Sequence, residues 1–217
     1  MTFRRSRRTA ALLVAMLIVA LVAGVPALRE RVLRAAGWAL VADDGAAPAE
    51  VIVVALDSGG AGVLEAADLV SRGIARRLAV FSAPPEGAER ELLRRGVPYE
   101  DQAARQIRQL EALGVTDIVR IPALEDGTEG AGRALRAWCD ERHVASIVLV
   151  ASADHSRRTR RVVGRYMQGH PTRISVRPSR YSAFDPDAWW HSRAGVRTEI
   201  VEMQKLVLDL VLHPLSS

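Results

Sequence analysis

Two six-residue runs, Val51–Leu56 (VIVVAL) and Ser146–Ala151 (SIVLVA), constrain the fold more than any other feature of this chain. Both are apolar almost throughout and rich in β-branched residues. A strand with one wet face alternates apolar and polar residues. An unbroken apolar run is instead a strand buried on both faces, as in a parallel sheet covered by helices. Shorter strands are expected at Leu78–Ser82, Asp117–Ile121 and Arg173–Arg177.

Helix-period segments lie between these strands. Gly62–Arg72 places Val63, Ala66, Ala67 and Val70 on one face and stops at Gly73. Ala88–Arg95 is a short helix closed by Gly96. Asp101 stands where an N-cap is needed, ahead of a helix with Ala104, Ile107 and Leu110 inward. Gly130–Arg142 holds Ala131, Leu135, Trp138 and Cys139 at core spacing, which makes Cys139 an inert buried thiol. Asp154–Gln168 is helical. Val196–Leu212 predicts a long amphipathic helix with Val196, Ile200, Met203, Leu206, Val207 and Leu210 inward. Strands alternating with helices predict a three-layer α/β sandwich with a mostly parallel sheet.

Charge is distributed unevenly. The chain carries a net +5, which taken whole suits a nucleic-acid binder. Residues 1–34 alone hold a net +6, and residues 35–217 a net −1. The main domain is near neutral, so nucleic acid is excluded as its partner on electrostatic grounds. A single cysteine excludes a disulfide scaffold and a cysteine-cluster zinc site, and no metal site is expected.

The positive charge brackets an apolar segment. Arg4, Arg5, Arg7 and Arg8 precede Thr9–Leu28, 20 residues without a charge, and Arg29, Arg31 and Arg34 come after it. Such a helix spans roughly 30 Å, the thickness of a hydrocarbon core. Residues 1–8 then form a basic cytoplasmic tail and residues 9–28 a transmembrane signal anchor. The heavier basic flank comes first, which places the remainder outside the cytoplasm. Two other readings of the segment are a cleaved secretory signal, with Val25-Pro26-Ala27 as a poor cleavage site, and twin-arginine export through Arg7-Arg8. Residues 29–49 read as a linker, and residues 50–213 as the α/β domain.

Ligands on a parallel sheet bind at the carboxyl ends of the strands. Three loops fall there. Asp57-Ser58-Gly59-Gly60 combines glycines with a helix start, a combination that receives anions or merely makes a tight turn. It is neither a dinucleotide fingerprint nor a phosphate loop with a lysine, and no cofactor is assigned. Glu125-Asp126-Gly127-Thr128-Glu129 offers carboxylates for acid–base chemistry at Glu125 and a hydroxyl at Thr128, or a capped helix start. Ser152-Ala153-Asp154-His155-Ser156-Arg157-Arg158 sets His155 three residues from Arg158, on one helical face. That pair suits a phosphate or carboxylate, with Arg158 for the anion, His155 for acid–base work, Glu125 as a second carboxylate, and Ser152 and Asp154 beside them. Trp189-Trp190-His191 reads as an aromatic packing cluster. Ser58 with Asp187 and His191 is a further arrangement, a serine hydrolase, though it matches no hydrolase motif.

The order of elements and the segment Val148–Thr159 (VLVASADHSRRT) resemble the YdcF-like family, a widespread bacterial domain that includes SanA-type and ElyC-type envelope proteins. Val150, Ser152, His155 and Arg158 match its motif after the fourth strand. Leu92–Pro98, the Glu125-to-Thr128 segment, Trp190 and Glu202-x-x-Lys205-Leu206 resemble other parts of it. The chain departs from the family in three places. It has Ser82-Ala83-Pro84-Pro85 for a Gly-rich turn, Gly62 where an Arg often opens the first helix, and Ala131 where an Asn is usual. The resemblance implies a Rossmann-like domain, tethered to the membrane, with a part in cell-envelope or cell-wall biogenesis. Its expected ligand is a phosphorylated or carboxylated small molecule or envelope intermediate. A non-catalytic scaffold or regulator of envelope enzymes is the alternative.

Overall fold

The central strands form where side chains are apolar on both faces. In the computed structural model, which describes residues 24–123 and 127–214, β1 (Val51–Val54) and β4 (Ser146–Ala151) lie side by side. β2 (Arg77–Ser82) pairs with the other side of β1, β3 (Ile118–Pro122) with β2, and β5 (Arg173–Pro178) with β4. The five strands are parallel throughout, in the order β3-β2-β1-β4-β5. Val53 stands opposite both Ala79 and Leu149. All four β1 side chains are buried, which explains why their sequence shows no alternation. Edge strand β3 carries an exposed Arg120 and ends in Pro122, features that discourage pairing with another chain.

Seven helices accompany the sheet among the described residues: α1 (Pro26–Ala39), α2 (Gly59–Ser71), α3 (Gly87–Arg94), α4 (Gln102–Ala112), α5 (Gly127–Arg142), α6 (Ser156–Tyr166) and α7 (Arg193–Leu212). On one face Val51, Val53, Ile121 and Leu149 pack against Leu135 and Trp138 of α5 and Val163 of α6. On the other, Ile52, Val54, Val148 and Val150 meet Val63 and Leu69 of α2 and Leu110 of α4. The result is the expected three-layer, Rossmann-like α/β arrangement. Cys139 is buried in the first of these cores, and burial raises its thiol pKa to about 11.

The stretch 40–50 has no regular structure, in keeping with its composition, but it is held to the domain. Leu40, Val41 and Ala42 are buried. The Ala42 N–H donates to Ser156 Oγ at 2.8 Å. Asp44 pairs with the backbone of Val176, closing the edge of β5. Helix α1 approaches so closely that a Cβ at Gly37 would fall 2.4 Å from the Pro186 carbonyl oxygen. Trp189 Nε1 donates to the Leu33 carbonyl at 2.8 Å.

Two helical faces differ from expectation. On α4 the buried positions are Ala103, Gln106 and Leu110, one residue out of phase with Ala104. On α7 the departure is larger. Leu206 is buried and Met203 partly so, as expected, but Ile200 is 51% exposed, and Val207 and Leu210 are exposed too. Glu199, Glu202 and Asp209 are buried instead. The reason lies on α6, whose Arg158, Arg161 and Arg165 share a face. Arg161 and Arg165 hold Asp209 at 2.7 and 2.8 Å, and Arg158 reaches Glu202 at 3.3 Å. These ion pairs draw the acidic face of α7 inward and leave its apolar stripe outside. Glu199 has no hydrogen-bond partner for either oxygen, and burial raises its pKa. Together with Ala36 of α1, the stripe borders an apolar groove of about 620 Å³.

No helix among the described residues is long and apolar enough to cross a membrane. Residues 9–23, the larger part of the expected anchor, lie outside the described residues.

Candidate functional site

β1 and β4 are neighbours, yet their following helices pass to opposite faces: α2 to one core, α6 to the other. That divergence opens a crevice at the carboxyl ends of the two strands, the usual ligand position in open α/β sheets. Leu56-Asp57 leaves one side of it. From the other, β4 runs through Ser152 into a single 3₁₀ turn, Ala153–His155, and then into α6. The tight turn brings His155 and Arg158 to the crevice.

Glu202 of α7 organises the cluster. His155 Nδ1 is 2.7 Å from Glu202 Oε2. Lys205 Nζ donates to Glu202 Oε1 at 2.6 Å, and Arg158 Nε to Oε2 at 3.3 Å. Arg158 Nη1 donates to Thr128 Oγ1 at 2.6 Å. On its other sides His155 meets Asp57 (Nδ1 to Oδ2, 3.5 Å) and Asp154 (Nε2 to Oδ2, 3.3 Å). Ser152 donates to the far oxygen of Asp154 and contacts Ser182.

Protonation is set by these neighbours. Burial disfavours a charged imidazole, but the Glu202 hydrogen bond and the charges of Asp57 and Asp154 outweigh it and raise the His155 pKa. Burial likewise disfavours the Glu202 carboxylate, yet His155, Lys205 and Arg158 hold its pKa down at about 2. An ionised Glu202 fixes the Nδ1 proton on His155. Arg158 Nη2, 3.1 Å away, then lies beside that nitrogen without bonding to it. Nε2 has the longer and weaker carboxylate contact, to Asp154 at 3.3 Å, and is the more labile of the two positions.

A cavity of about 190 Å³ fills the crevice, walled on its polar side by Asp57, Thr128, His155, Arg158 and Lys205. Phe81, Leu149 and Val163 form an apolar wall. Glu202 does not line it. Glu202 therefore stands behind His155, Arg158 and Lys205, which line the cavity together with the Asp57 carboxylate and the Thr128 hydroxyl. Guanidinium, ammonium and imidazole groups are the side chains that pair with oxyanions.

Asp57, Thr128, His155 and Arg158, singled out from sequence, meet at this cavity. Asp154 and Ser152 support His155 from behind. Gly59 and Gly60 border an adjoining groove. Ser58 is buried with its hydroxyl donating to the Ala55 carbonyl at 2.7 Å, and it lines neither space. Glu125 lies outside the described residues. The hydrolase arrangement is not assembled: Asp187 holds Arg34 and Trp38, at 3.1 and 3.0 Å, and Ser58 is turned inward. Sequence reasoning assigned no role to Glu202 or Lys205. The acidic spacing Glu199, Glu202, Asp209 along one face of α7 is a signal for them, overridden by its apolar stripe.

Among the described residues, Glu129, Asp209 and His213 come close enough to share a cation. Arg165 already bridges both carboxylates, and Arg161 holds Asp209, so positive charge fills that place. Comparison with protein-family models, curated proteins and solved structures finds no match to this chain.

Proposed function

We propose that this protein is a membrane-tethered, envelope-facing relative of the YdcF-like domains. It binds a phosphorylated or carboxylated small molecule between β1 and β4, with His155 available for proton transfer and Arg158 for the anion. The observation that carries the reading is the charge arrangement: His155, Arg158 and Lys205 on the cavity wall, with Asp57 beside them and Glu202 behind. Inorganic phosphate is the simplest probe. Full-length protein is expected to gain thermal stability with phosphate, and Arg158→Met to lose most of that gain. Affinity falls as pH rises through the raised His155 pKa, because the imidazole loses its charge. His155→Gln removes the imidazole's share of that pH dependence and leaves only the second ionisation of phosphate itself. Equal phosphate response in wild type and both variants sinks the pocket.

Support for the membrane comes from the uncharged run of residues 9–28 and from helix α1. That helix begins as the run ends, and its Ala36 borders the same apolar groove as Ile200, Val207 and Val211. Exposed apolar patches of this kind mark contact surfaces. A reporter joined after Ala46 is expected to be active only outside the cytoplasm. Cytoplasmic activity reverses the orientation.

A binding-only protein is the second reading. His155 already contacts a carboxylate at each nitrogen, so the cluster also serves to lock α6 onto α7. pH-dependent turnover of a bound ligand separates the two.

A further inference from the structure

The inner cavity is small for a complete ligand. At about 190 Å³ it lies below the roughly 300–1,000 Å³ of ordinary small-molecule sites. A second space of about 680 Å³ adjoins it and shares Leu56 and Asp57 as walls. From this adjacency we propose that the outer groove is a subsite for the hydroxyl-rich body of the ligand, so that the substrate class is a sugar phosphate or polyol phosphate. The proposal rests on the anion reading of the inner cavity.

Three observations carry it. First, Gln106 of α4 lines the groove, is only 4% exposed, and its Nε2 has no hydrogen-bond partner. A buried amide donor is ordinarily paired; Nε2 is closed off from solvent in this conformation, and a turn of the side chain towards the groove would bring it to a ligand oxygen. Second, the N-terminus of the 13-residue helix α2 opens into the same groove at Gly59 and Gly60 without a side-chain cap. Ser58, the residue placed to cap it, turns its hydroxyl to Ala55. The first N–H groups of a helix have no intrahelical acceptor. A Cβ at either glycine would meet nothing within 4 Å, so the space above those amides is open. Third, the floor is held in place: Gln102 Nε2 donates to the Leu56 carbonyl at 2.6 Å, tying α4 to the exit of β1.

The mixture of groups selects the ligand class. Donors come from Gln106, the α2 amides and the exposed Arg105. Carboxylates come from Asp57, Glu89 and Glu100. A second phosphate would suit the helix terminus but would face these three acids. A hydroxyl both donates and accepts, and so suits both sets. The phosphate is then left to Arg158 and Lys205, and the hydroxylated body lies over α2 against Gln106.

Isothermal titration of the full-length protein tests this with inorganic phosphate, glucose 1-phosphate, ribose 5-phosphate and glycerol 3-phosphate. At least one ester is expected to bind about tenfold or more tightly than inorganic phosphate. That ratio should fall to about one in Gln106→Leu, where the buried donor is lost. It should also fall in Gly60→Leu, which fills open space in the groove without touching the core. If phosphate binds and no ester exceeds it, the outer subsite is wrong and the anion site stands. A ratio that survives both substitutions also overturns the subsite. If neither phosphate nor ester binds, the anion reading fails and this one with it.

Discussion

Glu202→Gln is expected to destabilise the protein by about 3–5 kcal/mol at neutral pH, the usual cost of removing one partner from a buried ion cluster. Glu202 is buried and compensates His155, Arg158 and Lys205 at once. A neutral amide leaves those cations facing one another. For a domain of this size the midpoint of thermal unfolding falls by on the order of 10 °C. The sign with pH is specific. The folded pKa of Glu202 is lowered to about 2, so its contribution is present above the ordinary carboxylate range and is lost as pH falls towards 2. The folded pKa of His155 is raised, so its contribution is present below the ordinary imidazole value and is lost as pH rises through the folded one. The gap between wild type and variant is therefore widest between those two ordinary ranges. Urea unfolding at a series of pH values reads it directly. A gap that is small, or flat across pH, would show that the cluster does not hold α7 to α6.

A second large loss is expected at Glu65, on the opposite face of the sheet. Its side chain is 0% exposed within α2, among Val63, Ala66 and Leu69. Arg180 Nε lies 2.9 Å from one oxygen, and Arg177 Nε 3.3 Å from the other. The Arg180 backbone N–H donates to it as well, at 3.2 Å. These bonds fasten the segment after β5 onto α2, where Ser179 Oγ also donates to the Ala61 carbonyl at 2.7 Å. Glu65→Ala leaves a cavity and takes away the buried acceptor shared by Arg177 and Arg180, leaving each only its outer carboxylate, Asp43 and Asp68, at a cost of about 3 kcal/mol. Glu65→Gln retains one acceptor oxygen and the side-chain volume, and is expected to lose about half as much. Hydrogen exchange at residues 179–181 should quicken in both variants. A loss in Glu65→Ala below about 1 kcal/mol, the level of an exposed pair, would contradict this account.

Elements whose environment is uniform were readable from the chain alone. Val51–Val54 and Ser146–Ala151 are apolar because both sheet faces are covered, so composition and burial carry the same information. Helix ends were readable for a similar reason. Asp101 caps α4 by a bond to its own chain three residues on, and Gly73, Gly96 and Gly114 adopt positive φ at or just after helix ends. His155 and Arg158 were readable because strand end, turn and helix start are consecutive in sequence.

Glu202, Lys205 and Glu65 were not readable in this way. Each owes its role to a partner far along the chain: Glu202 to Arg158, 44 residues earlier, and Glu65 to Arg177, 112 residues later. Apolar periodicity measures the tendency of side chains to leave water. It does not register a buried carboxylate whose desolvation is offset by guanidinium groups from another helix. On α7 those groups reverse the face that periodicity selects, turning Glu202 and Asp209 inward and Ile200 and Val207 outward. The succession of strands and helices, and the loops that fall at the carboxyl ends of the strands, are thus properties of local sequence, because each depends on near neighbours. The charge cluster behind His155 and the groove beside it exist only once α4, α6 and α7 have packed, because their energies depend on distances that no local pattern encodes.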